Sequence, residues 1–221
     1  MCGRYSITTA PEAMRRLFRF ENAAPDLPPR YNAAPTDKLP VVRLGRDGRR
    51  ELAVLRWGLI PFWAKDEKIG FKSINARAES VATAPAFREA FRHRRCLVPV
   101  NGFYEWKKLP DGGKQPHYIG MRDGSPFALA GLWERWKKGA DPIESFTIIT
   151  GEPNSLTAAL HDRMPVILEP DHWDAWLGAR DTAAPLAMLQ PFPAQLMAAY
   201  PVSPKVGNVK NDTPDLVQPL A

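Results

Sequence analysis

Apolar positions along this chain fall in short runs that glycine or proline interrupts. Runs of this kind, rich in Val, Ile, Tyr, Phe and Trp, are typical of short β-strands. They predict seven strands, at 3–8, 52–58, 96–100, 117–121, 127–133, 145–150 and 165–168. Turn residues at Asp111-Gly112-Gly113 and Asp123-Gly124 separate neighbouring runs as they do in hairpins.

Helical spacing of apolar residues is rarer. Thr9 and Glu12 resemble a capping box ahead of Met14, Leu17 and Phe18. Further helices are predicted at 83–93, 154–160 and 171–177, with two weak helical stretches after residue 181. The proline-spaced segment 27–40 predicts a loop that runs over the surface or lines a site.

Strands therefore outnumber helices and do not alternate with them regularly. This pattern predicts an α+β fold with a mostly antiparallel, barrel-like sheet and a few short peripheral helices. A length of 221 residues suits a single domain over 1–221, with the Pro- and Ala-rich part from about residue 181 packed on it.

Composition and charge narrow the class of protein. No stretch approaches the ~20 apolar residues of a membrane helix and no signal-peptide core follows Met1, so we expect a soluble, cytoplasmic protein without a membrane partner. The histidine and cysteine spacing indicates neither a metal site nor a disulfide framework. The net charge of +6 arises in residues 81–138, which hold eleven Lys/Arg and five Asp/Glu. That excess fits either a face that binds nucleic acid or an arginine-rich, solvated helix.

The first candidate for chemistry is Cys2. Removal of Met1 would leave an α-amine and a thiol on adjacent carbons, both partly deprotonated near neutral pH. The amine can condense with an aldehyde, and the thiol can close a thiazolidine ring on the imine. The same group can also act as an N-terminal nucleophile that cleaves amides. Alternatively, Met1 stays and Cys2 has no chemical role.

Three further motifs carry polar residues that suit catalysis or binding. Asn75, Arg77 and Glu79 alternate, so they share one side of an extended segment where Arg77 can clamp a phosphate and Glu79 can hold Arg77, unless the segment is a loop with an ordinary surface ion pair. Glu105 lies between aromatic residues, where burial would suit it to proton transfer, unless it faces solvent or pairs with Lys107. His161 can act as a general acid or base, or it can simply favour a helix C-terminus.

Aromatic residues at 57–63 supply a stacking surface. Trp57 falls on a predicted strand and is expected in the core. Phe62 and Trp63 follow in a loop, where exposed rings can stack on bases, although core packing is the default for one of the two.

In this order, MCGRY, RYNAAP, WGLIPFWAK, INARAES, GFYEW, HDRMP and PVSPKVGNVKND resemble the SOS response-associated peptidase family over nearly the full chain. The resemblance implies a protein that binds single-stranded DNA, removes its own Met1 and crosslinks to abasic sites through Cys2. By that analogy Asn75 hydrogen-bonds the captured sugar, Glu105 acts as acid and base, and His161 helps to open the sugar ring.

The resemblance also implies how DNA is held. Arg4 and Arg77 would hold phosphates that flank the lesion, Asn32 would belong to the DNA-binding set, and Trp63 would stack at a junction of single-strand and duplex. We expect no cofactor, a monomer that associates with the nucleoid when bound to DNA, and the replication machinery as a partner. Two rival functions stay open: a peptidase that cleaves other proteins through Cys2, and a DNA-binding module without chemistry.

Overall fold

The computed structural model describes residues 2–220 and consists mainly of β-structure. Its thirteen strands are β1 Tyr5–Ile7, β2 Arg30–Ala33, β3 Lys38–Leu44, β4 Arg50–Trp57, β5 Asn75–Arg77, β6 Arg95–Val100, β7 Gly102–Lys108, β8 Lys114–Met121, β9 Phe127–Trp136, β10 Ile143–Gly151, β11 Met164–Pro165, β12 Ile167–Leu168 and β13 Met197–Pro201. Four short helices accompany them, α1 Pro11–Phe18, α2 Arg88–His93, α3 Trp173–Gly178 and α4 Ala183–Ala187. The predicted α+β class is confirmed.

Five strands close into a barrel in the order β10, β4, β3, β6, β9 and back to β10. Every pair around this ring is antiparallel except β4 with β10, which run parallel. The short strand β5 also pairs parallel with β10, and β11 pairs antiparallel with the last two residues of β10. Strands β5 and β11, which are far apart in the sequence, therefore both lie next to the carboxyl end of β10.

A second, antiparallel sheet has the order β13, β8, β7, β1, β2. Its inner residues join the barrel in one hydrophobic core, to which Tyr5, Trp57 and Phe146 contribute fully buried rings. Trp57 is therefore a core residue, as its strand position predicts. Because β1 pairs with β2 on one side and with β7 on the other, the N-terminal strand lies inside this sheet rather than at its edge.

Several strands lie where the sequence predicts none. The predicted loop 27–40 is wrong in part, because β2 and the start of β3 fall within it. Pro40 is tolerated in β3 because β6 pairs with β3 only at Val42 and Arg43, so no second neighbour needs an N–H from Pro40. The Ala-rich segment that forms β13 favours a helix locally, but pairing with β8 overrides this preference.

Helices are shorter than predicted. The first one begins at Pro11 without a side-chain cap, so the capping box is wrong; Thr9 instead donates its backbone N–H and hydroxyl to Asn101 Oδ1. In 83–93 only α2 is α-helical, and in 154–160 only Thr157–Ala159 forms a single 3₁₀ turn. The segment 171–177 forms the end of a 3₁₀ turn and most of α3.

Arg94 and Arg95 of the basic region 81–138 belong to the interior or its ion pairs, whereas the neighbouring Arg88, Arg92 and His93 are exposed. Arg95 is 4% exposed and donates to the carbonyls of Phe91, Arg92, Trp176 and Ala179. Arg94 pairs with the buried Glu134 at 2.8 Å. Neither alternative predicted for this segment, a DNA-binding face or a solvated helix, describes Arg95.

Within residues 2–220, none of the helices combines the length and the apolar character needed to cross a membrane.

Candidate functional site at the start of the first strand

Cys2 lies just ahead of β1 and is fully buried. Tyr5 pairs with Phe103 of β7, and the backbone N–H of Tyr104 donates to the carbonyl of Arg4. Continuing this antiparallel register sets Gly3 opposite Glu105. Burial raises the pKa of the Cys2 thiol, and the nearby Glu105 carboxylate raises it further. The thiol and this carboxyl group are thus electrostatic neighbours.

Glu105 points into the protein, with only 3% of the residue exposed. The alternative in which it faces solvent is therefore wrong. Burial between β1 and β8 raises the pKa of this carboxyl, while the charge of His161 acts in the opposite direction. A carboxyl that holds its proton to higher pH than an exposed glutamate does, next to an imidazole, is suited to both giving and taking a proton.

His161 lies in the turn between the 3₁₀ turn at Thr157–Ala159 and β11. Its Nδ1 accepts a hydrogen bond from the backbone N–H of Arg163 at 3.0 Å and lies 2.8 Å from Asp162 Oδ1. Trp106, Lys107 and Lys108 of β7 line a cleft together with this turn. The turn therefore brings His161 to the strand that carries Glu105.

Asn75 and Arg77 flank β10, with Asn75 opposite Ile148 and Arg77 opposite Thr150. The Nδ2 of Asn75 donates to the carbonyl of Ile74, whose oxygen also accepts from Trp57 Nε1. Its Oδ1 is buried and has no hydrogen-bond partner among residues 2–220. Trp57 in turn contacts Tyr5 of β1, with ring centroids 5.1 Å apart. Contacts through Ile74 and Trp57 therefore link Asn75 to β1, the strand that follows Cys2.

Glu79 does not hold Arg77, contrary to the prediction from its motif. Its carboxylate accepts two hydrogen bonds from the Arg163 guanidinium, at 3.1 and 2.9 Å. This pairing lowers the pKa of Glu79. The exposed side chain of Arg77 is left on the same flank of the barrel.

Arg4 and Asn32 form a clamp on the segment 206–212. Arg4 Nη1 donates to Asn32 Oδ1 at 3.0 Å and to the carbonyl of Val206 at 2.7 Å, and its Nη2 reaches the carbonyl of Gly207 at 3.3 Å. The fully buried Asn32 donates through Nδ2 to three carbonyls of that segment. Both residues therefore have structural partners close to Cys2.

Phe62 and Trp63 are both exposed, at 48% and 42% respectively, so the expectation that one of them packs in the core is wrong. Trp63 Nε1 donates to the carbonyl of Pro85 at 3.2 Å, which orients the indole without covering it. Both rings are accessible for stacking.

Two residues of this region escaped the sequence analysis. Thr150 receives the Arg163 guanidinium on its carbonyl and hydroxyl, and Asp212 accepts from the backbone N–H groups of Tyr31 and Asn32. Both depend on contacts between distant segments, so no local pattern signals them. Cys96, by contrast, is buried as its apolar strand predicts. Within the described part of the chain, no three His, Cys, Asp or Glu side chains are grouped to hold a metal ion.

Comparison with known proteins gives a consistent result. The family model for SOS response associated peptidases matches residues 1–209. The abasic site processing protein YoqW of Bacillus subtilis is 41% identical over 99% of both chains, and YedK of Escherichia coli, which carries the same description, is 32% identical over the full length of both. A crystal structure of a Bacteroides thetaiotaomicron protein superposes with a TM-score of 0.88 at 30% identity over all of both chains. The chain belongs to the SOS response associated peptidase family.

Proposed function

We propose that this protein processes abasic sites in single-stranded DNA by capturing the open-chain sugar aldehyde on Cys2. The curated relatives above are named as abasic site processing proteins. The observation that carries the proposal is the grouping of Cys2, Glu105 and His161, whose charges influence one another inside the fold. A thiol, a carboxyl and an imidazole are the groups that the capture reaction needs.

The reaction begins with hydrolysis of the Met1–Cys2 peptide bond, which consumes one water and frees the α-amine of Cys2. The amine adds to the aldehyde carbon and water leaves, which gives an imine. The thiol sulfur then bonds to the imine carbon while the nitrogen takes up the thiol proton, so a thiazolidine forms with no further loss of atoms. Closing the ring removes the imine that would promote β-elimination and strand cleavage.

Each neighbouring residue has a role in this sequence. His161 moves a proton as the closed sugar hemiacetal opens. Glu105 gives a proton to the departing hydroxyl of the carbinolamine and takes one from the thiol, and the reverse steps would release the DNA. The buried Oδ1 of Asn75 accepts a hydrogen bond from a sugar hydroxyl, since it has no partner among residues 2–220.

DNA binding falls to exposed groups around this site. Arg77 contacts a phosphate next to the lesion, and Trp63 stacks on a base at the border of single-strand and duplex. Arg4 holds a second phosphate through its guanidinium charge, while Asn32 holds Arg4 in place. Because phosphate contacts supply most of the affinity, non-covalent binding should weaken as salt increases.

Intact-mass measurement tests the proposal directly. We expect the purified protein to lack one methionine residue, and its mixture with an abasic single-stranded oligonucleotide to contain protein plus DNA minus one water. Cys2→Ala should abolish this adduct, whereas the matched variant Cys96→Ala should retain it. An adduct that persists in Cys2→Ala would assign the chemistry to another residue.

The family description favours one second function, cleavage of peptide bonds beyond Met1. An N-terminal cysteine next to an acid and a base could attack an amide. Incubation with an unstructured protein substrate, beside the abasic oligonucleotide, separates the two activities. Cleavage without adduct formation would support the peptidase instead.

A further inference from the structure

His161 Nδ1 has two neighbours with opposite requirements. The backbone N–H of Arg163, 3.0 Å away, needs an acceptor, whereas Asp162 Oδ1, 2.8 Å away, needs a donor. A neutral imidazole nitrogen either carries a proton or accepts one, so it can satisfy only one of them. Which neighbour prevails decides which ring nitrogen of the neutral histidine carries the proton.

The two neighbours differ in how firmly they are held. The Arg163 side chain is 16% exposed and donates to both oxygens of Glu79, to Thr150 Oγ1 at 3.3 Å and to the Thr150 carbonyl at 2.6 Å. Thr150 belongs to β10, a strand of the closed barrel. The Asp162 side chain is 87% exposed, so it can turn into water at little cost.

We propose that the anchor formed by Glu79, Arg163 and Thr150 positions His161 by fixing its tautomer. With the Arg163 N–H held against Nδ1, the neutral ring carries its proton on Nε2. When the ring takes up a second proton, Nδ1–H turns its hydrogen bond to Asp162, and the Arg163 N–H loses its acceptor. Among residues 2–220, three further charged groups near this turn lie on β7, namely Glu105, Lys107 and Lys108.

The consequence for chemistry is a defined direction of proton movement. A neutral His161 offers a hydrogen-bond donor at Nε2. It can give up that proton only after Nδ1 has taken up another, so protons enter at Nδ1 and leave at Nε2 without turning the ring. Glu79, Arg163 and Thr150 are positioning residues in this scheme, since they act through the backbone of the turn. The inference concerns the site assigned under the proposed function, but the tautomer is a property of the protein without DNA.

Nuclear magnetic resonance of ¹⁵N-histidine-labelled protein measures the tautomer. His161→Gln identifies the His161 signals among those of the four histidines. At a pH where the ring is neutral, we expect the wild type to show proton attachment at Nε2 and an acceptor at Nδ1. Arg163→Ala keeps the backbone N–H but removes the anchor, so a signal from the Nδ1–H form should appear. A wild-type ring protonated at Nδ1 would overturn the proposal.

Matched variants separate the anchor from general loss of structure. Glu79→Gln removes the negative charge of a side chain that is about half exposed, so the protein should stay folded. The signal of the Nδ1–H form should also appear in this variant. Asp162→Asn should leave the neutral tautomer unchanged, as should the exposed Asp171→Asn. An unchanged tautomer in both Arg163→Ala and Glu79→Gln would refute the anchor. Absence of a DNA adduct would instead refute the proposed function and leave this result standing.

Discussion

Replacing Asn32 with alanine removes the contacts that the Nδ2 of a fully buried amide makes with the carbonyls of Val206, Asn208 and Asn211, at 2.8 to 3.1 Å. It also removes the acceptor that receives Arg4 Nη1. Because Nδ2 has only two protons, its three contacts count as two hydrogen bonds. With the Arg4 bond, and at about 0.5–1.5 kcal/mol net for each, they predict a loss of about 1.5–4.5 kcal/mol in the free energy of unfolding. That is a large part of the total free energy of unfolding of a typical domain, which is roughly 5–15 kcal/mol.

Urea denaturation followed by tryptophan fluorescence measures this loss. With a slope of about 2 kcal/mol per molar, the midpoint should fall by about 1–2 M. Asn32→Asp keeps the shape and the acceptor for Arg4 but turns a second oxygen toward three carbonyls, so it should cost at least as much as alanine. The exposed Asn208→Ala is the control and should cost less than about 1 kcal/mol. A midpoint for Asn32→Ala within error of the control would refute this account of the clamp.

Three other substitutions test separate features of the structure. Gly102→Ala would bring a Cβ to 2.5 Å from the Tyr118 hydroxyl oxygen, and we expect a thermal shift assay to show a loss of more than about 2 kcal/mol. Burial raises the folded-state pKa of Glu105 above its ordinary 4.5, so the folded protein holds this proton to higher pH than the unfolded chain. Relative to Glu105→Gln, the free energy of unfolding of the wild type should therefore fall as pH rises from 4.5 through the folded-state pKa. Parallel profiles of unfolding free energy against pH for the two proteins would contradict this. Arg4→Lys keeps the positive charge but loses the planar guanidinium that donates to two carbonyls, so amide hydrogen exchange should become faster in residues 206–212. Unchanged exchange together with weaker DNA binding would instead mean that Arg4 serves only to contact a phosphate.

Local patterns in the sequence predict those parts of the fold that depend on local preference. Apolar runs such as those of β9 and β10 are found as strands, and the glycine turns at Gly112 and Gly124 have positive φ values that favour glycine. Strands β2 and β13 depend on pairing with distant partners, so their own sequences indicate a loop and a helix. The closure of β10 on both β4 and β9 is a property of the whole chain and has no local signal.

The candidate site was predictable to a different extent. The position of Cys2 in the chain and the aromatic neighbours of Glu105 are visible in the sequence, but the sequence left open whether Glu105 is buried or faces solvent. The partner of Glu79 is not visible, because Arg163 reaches it only after β11 pairs with β10. Charge counting does not show which basic residues are exposed, and Arg95 donates to four backbone carbonyls instead.

The clamp on Arg4 limits how Cys2 can meet a substrate. Arg4 is fixed to Asn32 and to the segment 206–212, and Tyr104 bonds its carbonyl, so the chain is held from residue 4 onward. Two residues of extended chain span at most about 7 Å, which sets the reach of Cys2 from that anchor. Since the thiol is buried beside Glu105, the proposed function requires the abasic sugar to enter the protein to meet Cys2. An abasic nucleotide has no base to unstack, so it can turn inward more easily than an intact one, which gives the site a physical basis for selecting the lesion.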